Sequence, residues 1–221
     1  MERMEDFFAA RVDEYEEHML STVEGCEQAY ELVPSLLPEA CRNLLDLGCG
    51  TGLELKQIFK SFPNLHVTGI DLTQEMLNKL KYNFPDKEID LICGSYFDVD
   101  LKIEEYDCAI SFQTMHHFDH KTKIGLYGKV YHALKNHGIY IECDYMVENQ
   151  VDEDFYMNEN KRIRKELNIP EHGFYHYDTP CTVVNQISML EQGGFAKVES
   201  VFRMGHTTIL TAYKRQNSET G

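Results

Sequence analysis

Asp46 stands just ahead of a glycine turn, Gly48-Cys49-Gly50-Thr51-Gly52, in the run NLLDLGCGTG at 43–52. Alternating glycines let a backbone approach a ligand closely, and the helix that follows offers free N–H groups. Such loops usually cradle phosphate, yet a carboxylate beside a pyrophosphate would be repelled. Asp46 therefore selects a ligand that presents a cation here and no phosphate. A dinucleotide fingerprint would also need a third glycine at position 53, which is Leu53. A second acid, Asp71 in TGIDLT, follows about 20 residues on, the spacing at which a carboxylate meets ribose hydroxyls in doubly wound folds. Together the two acids describe a nucleoside with a cationic amino-acid tail.

Three histidines come next, His116, His117 and His120 in MHHFDH, directly after an apolar run. That places them at the carboxyl edge where open α/β sheets bind ligands, and His117 is the candidate base or acceptor-positioning group. No metal site is expected here, because three neighbouring imidazoles need not converge and no acidic partner is evident. A long insert at 144–180 carries a helical stretch and then HGFYHYDTP. Inserts at this edge form lids over substrates. Tyr15, Tyr145, Tyr175 and Tyr177 could make either an aromatic cage for a cationic amine or a structural tyrosine cluster.

These groups need a scaffold, and the apolar pattern supplies one. Short β-type runs fall at 43–47, 65–70, 88–93, 106–112 and 137–143. Helical patterns at 53–62, 73–82 and 121–135 separate most of them, while 94–105 reads as loop or short helix. Parallel strands need crossovers of about a dozen residues, so the alternation predicts an open parallel sheet covered on both faces. The first three strands are apolar on both sides, as covered strands should be. A helix at 182–192 ends at Gly193-Gly194, and strands at 196–203 and 207–213 are joined only by MGH, which makes them antiparallel. Ahead of the sheet, 2–20 and 24–33 read as helices, with Phe7, Phe8, Val12, Tyr15 and Met19 at helical spacing. RQNSETG at the end reads as frayed.

Composition narrows the partners. The 221 residues are 43% hydrophobic, enough for one domain with a full core. A formal charge of −16 disfavours nucleic acid and anionic bilayers, and NKRIRKE at 160–166 reads as a solvated helix face. No apolar run is long enough for a transmembrane helix, and the charged start lacks a signal peptide, so a cytoplasmic location is the default. Seven scattered cysteines with no C-x-x-C pair read as reduced, mostly buried thiols.

S-adenosylmethionine matches the ligand described by Asp46 and Asp71. With LLDLGCGTG, GIDLTQEML, YDCAISFQTMHHF and GGFAKVESVFRMGHTTILTAYK, the chain resembles the class I S-adenosylmethionine-dependent methyltransferases over about 40–213. The resemblance implies a Rossmann-like α/β fold: a doubly wound, mostly parallel seven-stranded sheet, helices on both faces and a C-terminal antiparallel hairpin. It also implies a methyltransferase domain at 39–221 and a helical cap at 1–38 like that of small-molecule members, with Tyr15 near the methionine end. Gly48, Cys49 and Gly50 would contact the methionine moiety and Asp46 its ammonium. Asp71 would hold the ribose, while Leu72 and Met76 would pack on adenine. Gly94, Ser95 and Tyr96 would meet the adenine edge, Ser95 standing where many members carry an acid, and Gln113 would line the methyl end. A small-molecule methyl acceptor is the partner implied, and a homodimer is one option for the assembly. Alternatives are a methyltransferase acting on protein or tRNA, or a cofactor-binding module without turnover. Members that remodel the cofactor need a carboxylate-binding arginine, for which Arg11 and Arg203 are the candidates.

Overall fold

The computed structural model describes residues 1–170 and 173–215; the frayed tail expected at the end lies outside them from residue 216 on, as does His172. The five apolar runs become β1 (Asn43–Leu47), β2 (His66–Asp71), β3 (Ile89–Cys93), β4 (Tyr106–Phe112) and β5 (Leu134–Val147). They pair in parallel in the order β3-β2-β1-β4-β5, and the sheet continues through the antiparallel strands β8 (Thr207–Tyr213) and β7 (Lys197–Met204). The sheet has eight strands where seven were expected. The extra one, β6 (Cys181–Thr182), has only two residues and pairs with the end of β5, too short for an apolar pattern to reveal. Strand order reverses between β1 and β4, which opens a crevice at their carboxyl ends.

Four of the five β1 residues are buried. Leu45 and Leu47 join the core cluster on one face, and Leu44 joins the cluster on the other. By the strand's period of two, Asp46 shares the face of Leu44 and is carried inside the molecule. Helices α4 (Leu55–Ser61), α5 (Gln74–Asn83), α6 (His120–Ala133), α7 (Gln150–Glu166) and α8 (Val183–Gln192) follow the expected pattern within a few residues. No helix forms between β3 and β4. The loop there is organised instead by Lys129 of α6, whose Nζ donates to the carbonyls of Tyr96 and Phe97 at 3.0 Å each and to that of Val99.

The cap departs from the simple helical reading. One helix was expected over 2–20, but the chain turns at Ala10-Arg11 to give α1 (Met4–Ala9) and α2 (Val12–Thr22), followed by α3 (Cys26–Leu32). The turn lets the first residues pair with the late insert. Met4 N–H donates to Phe174 O at 3.1 Å, His176 N–H donates to Glu2 O at 3.0 Å, and Arg3 and Tyr175 form an isolated antiparallel bridge. Phe7 stacks on the His176 ring, centroids 3.5 Å apart. A seam between segments distant in sequence thus outweighs local helix propensity. Helix α2 is held to the sheet side by Glu16, which accepts from Lys56 Nζ at 2.9 Å and Asn83 Nδ2 at 2.8 Å.

All seven cysteines are unpaired, and only Cys93 is exposed. Among the described residues no helix is long and apolar enough to cross a membrane.

Candidate functional site

The crevice holds two cavities that share Phe8 as a wall. The smaller, a slot of about 50 Å³, is lined by Gly48, Asp71, Leu72, Gly94, Ser95 and Tyr96, six of the residues expected to bind the cofactor. Met4, Phe8, Thr114 and Phe174 complete much of its wall. The larger, about 630 Å³, lies between the cap and the exits of β4 and β5, and Tyr15, Gln113 and His117 line it.

Asp71 sits at the end of β2 with its carboxylate aimed back at the glycine turn. Gly50 N–H donates to its Oδ2 at 2.9 Å and Thr73 N–H to its Oδ1 at 2.8 Å. Burial raises its pKa, and those two amides offset part of the effect. Each oxygen keeps a lone pair for a ribose hydroxyl. The amides of Gly48 and Cys49 both donate to Ile70 O, at 2.8 and 3.1 Å. The N–H groups at 48–50 are therefore spent inside the protein, and none is left to cradle phosphate.

Gly48 has φ +71°, and a Cβ there would lie 2.8 Å from Thr114 Oγ1, so only glycine fits between the turn and the β4 exit. Alanine at 48 forces about 1–2 kcal/mol of left-handed strain on top of that contact. Gly48→Ala is therefore expected to lower the melting temperature by roughly 3–8 °C, at about 2–4 °C per kcal/mol for a chain of this size. Scanning calorimetry measures this, and an unchanged midpoint would contradict it. Above Gly50, by contrast, the nearest atoms to such a Cβ are those of Tyr15 at 3.7 Å. The tyrosine ring thus closes over the turn at ordinary contact distance.

Asp46 lies beneath the turn and faces Glu54, at the start of α4, a residue that motif spacing does not single out. Asp46 is 1% and Glu54 4% exposed, and apart from the proton the two carboxyls share, neither oxygen of Asp46 nor Oε1 of Glu54 has a hydrogen-bond partner among the described residues. Burial raises both carboxyls, and their mutual proximity links them: Asp46 is held well above the carboxylate range, and Glu54 is pushed up to about 7. Burial, with Glu54 and Asp71 nearby, also holds the Tyr15 hydroxyl well above its usual range. Buried carboxylates without a counter-charge are unfavourable, and a ligand cation would complete them. The buried carboxyls would suit the ammonium end of S-adenosylmethionine, although Asp46 and Glu54 line neither cavity.

Not every expected contact is made at the cavity surface. The Cys49 side chain is buried against Gly69, and Met76 is 1% exposed and lines neither cavity. Helical spacing put Met76 on the helix after β2 without telling which face the sheet would cover. Ser95 Oγ accepts Phe97 N–H at 3.2 Å, which leaves its own proton to donate. Tyr96 bonds Thr114 Oγ1 through its hydroxyl at 2.9 Å. Gln113 adopts φ +48° and reaches Thr207 Oγ1 at 3.5 Å.

The tyrosines do not gather into a cage. Tyr15 and Tyr145 line the larger cavity, whereas Tyr175 belongs to the cap seam under the Arg164 guanidinium and Tyr177 is not on the wall. The histidines divide likewise. His116 and His117 face the cavity with Asp178, while His120 turns away to pair with Glu153 at 2.8 Å. Asp178 and Asp144 are the acidic partners that sequence spacing hides, arriving from the insert and from β5. Burial alone would lower His116, but Asp144 at 2.5 Å outweighs it and raises its pKa. Burial and the charge of His116 lower His117, and burial with His117 pushes His176 down to about 4. Of the two arginine candidates, Arg11 lines the cavity but pairs with Glu2 at 3.1 Å, and Arg203 bonds Met146 O away from it.

Comparison with known proteins agrees with this fold. The family model described as methyltransferase domain matches residues 44–138. A carboxy-S-adenosyl-L-methionine synthase of Nautilia profundicola is 24% identical over 182 residues, 78% of this chain and 77% of that protein. A methyltransferase structure from Thermotoga maritima, described as a possible histamine N-methyltransferase, superposes with a TM-score of 0.66 at 18% identity, covering 96% of this chain and all of that one. Human N-acetylserotonin methyltransferase, solved with S-adenosylmethionine, gives 0.69 at 17% identity over 96% of this chain and 57% of its own.

Proposed function

Because this chain is a class I S-adenosylmethionine-dependent methyltransferase, we propose that it methylates a small molecule held in the larger cavity. The roofed cavity carries this reading. Its ceiling is α1 and α2, closed by the seam to 173–178, and a folded macromolecule would have to displace that ceiling to reach the sheet edge. The insert and the cap together act as the lid. A volume of about 630 Å³ suits a small ligand, within the usual range of about 300–1,000 Å³.

Asp71 holds the ribose, Leu72, Ser95 and Tyr96 surround the base, and Asp46 with Glu54 neutralises the ammonium under Tyr15. Bound there, S-adenosylmethionine supplies a methyl group already activated by its sulfonium. Little machinery is then required of the protein beyond orientation and exclusion of water. His117 and Gln113, on the β4 exit, position the acceptor from the sheet side, and Phe7 and Phe8 cover it from the cap. The acidic surface and the absence of a membrane-length helix among the described residues support a cytoplasmic protein with a diffusible acceptor. A homodimer stays part of the proposal, to be checked by light scattering.

The test is transfer of labelled methyl groups from S-adenosylmethionine into cell extract split into small-molecule, protein and RNA fractions. Label is expected in the small-molecule fraction. Label confined to protein or RNA would overturn the choice of acceptor while leaving cofactor binding intact.

A further inference from the structure

We propose that His116, His117 and Asp178 form a divalent metal site on the wall of the larger cavity, suited to zinc. His117 Nδ1 lies 3.4 Å and His116 Nε2 3.6 Å from one atom, Asp178 Oδ1, and the donor atoms of all three residues fall within 4.8 Å of one another. Tetrahedral zinc binds nitrogen and carboxylate oxygen at about 2.0–2.1 Å, which sets its ligands about 3.3–3.4 Å apart. The two nitrogen–oxygen separations are thus close to those of donors around an ion and too wide for a good hydrogen bond.

Hydrogen bonding leaves these atoms unexplained. The His117 side chain is 2% exposed, and neither its Nδ1 nor Asp178 Oδ1 has a hydrogen-bond partner among the described residues. Buried polar atoms without partners are uncommon and point to a bound species that completes them. Behind the site, His116 Nδ1 meets Asp144 Oδ1 at 2.5 Å, and Asp144 is itself fixed by accepting Tyr145 N–H at 2.9 Å. A carboxylate on the far nitrogen, leaving the near one to a metal, is the usual support of a ligating histidine. The other convergent group, His120, Glu153 and Cys181, is the weaker candidate, because Lys123 Nζ stands 3.3 Å from Cys181 Sγ and would repel a cation.

Three protein donors leave one tetrahedral position free, the pattern of catalytic zinc. All three residues line the cavity, so that position is offered to the acceptor. The ligand class is therefore an acceptor with a hydroxyl or thiol, which on coordination releases its proton to solvent at a lower pH than when free. That last role rests on the proposed methyl transfer; ion binding does not.

The experiment strips the full-length protein with a chelator and titrates it with zinc, using calorimetry and elemental analysis, and then with cobalt(II), read by visible absorption. One zinc per chain is expected, with an intense tetrahedral cobalt band free of thiolate charge transfer. Asp178→Ala should weaken zinc binding at least about 100-fold, and Asp144→Asn, which among the three ligands bonds only His116, roughly 10–100-fold. Cofactor binding should stay within about threefold of the untreated protein throughout, because the slot shares none of these ligands. No stoichiometric zinc in the wild-type protein overturns the site, as does a thiolate band, which would place the ion at Cys181. Loss of cofactor binding in the stripped protein would instead count against the reading of the slot.

Discussion

Asp71→Ala should raise the dissociation constant for S-adenosylmethionine by about 100-fold or more, the largest effect expected of any single substitution in the slot. Each hydrogen bond to a charged group contributes about 1.5–3 kcal/mol, and the carboxylate has capacity for two ribose hydroxyls beyond its two amide donors. Losing both ribose bonds removes about 3–6 kcal/mol of binding, a factor of roughly 10² to 10⁴. The substitution also strands the amides of Gly50 and Thr73, so the glycine turn should lose order as well. Asp71→Asn retains one acceptor oxygen and should fall between the variant and the parent. Calorimetric titration decides it: a constant within threefold of the parent for the alanine variant would remove Asp71 from the site.

The second large effect concerns the buried pair Asp46 and Glu54, which in the ligand-free protein have no counter-charge. Unfolded, such groups ionise near 3.9 and 4.3. Folded, both hold their protons more tightly, Glu54 up to about 7 and Asp46 well above the carboxylate range. The native state therefore binds more protons than the unfolded one across that interval. Ligand-free stability must fall as pH rises from about 4 through 7. For Glu54 alone the fall is on the order of 4 kcal/mol, at about 1.4 kcal/mol per tenfold change in acidity. Asp46→Asn combined with Glu54→Gln should flatten that dependence and raise the ligand-free melting temperature at pH 7.5. The same variant should lose roughly 10²- to 10⁴-fold in cofactor affinity, two charge-assisted contacts having gone. Melting curves between pH 5 and 8, with and without cofactor, test both halves. A parent protein whose ligand-free midpoint is level across that range would refute the pairing.

What could be read from the chain alone was whatever local spacing encodes. The glycine turn, Asp46 before it and Asp71 after it lie within one strand-helix-strand unit, where the distance along the chain dictates the distance in space. The amides of residues 48–50 are spent on Ile70 O and the Asp71 carboxylate, a use that spacing alone does not reveal. Glu54 escaped notice because its burial beside Asp46 comes from tertiary packing, although an acid flanked by Leu53 and Leu55 was a signal. His116 and His117 were visible at the sheet edge. Their acidic neighbours were not: Asp144 lies 28 residues from His116 and Asp178 further still, and only the topology brings them together. The single helix expected over 2–20 failed for the same reason, its break being set by contacts with residues 174–176.

The seam that joins the first few residues to 174–176 has a consequence of its own. It consists of a handful of backbone contacts, the rings of Phe7 and Phe8 against His176 and the buried Met4, laid across the top of a sheet whose strands are otherwise knitted together. Such a fastening can unzip without disturbing the fold beneath it. Passage into and out of the cavity then becomes a local affair, whose tempo evolution could adjust at the clasp while every contact to either guest stayed as it was.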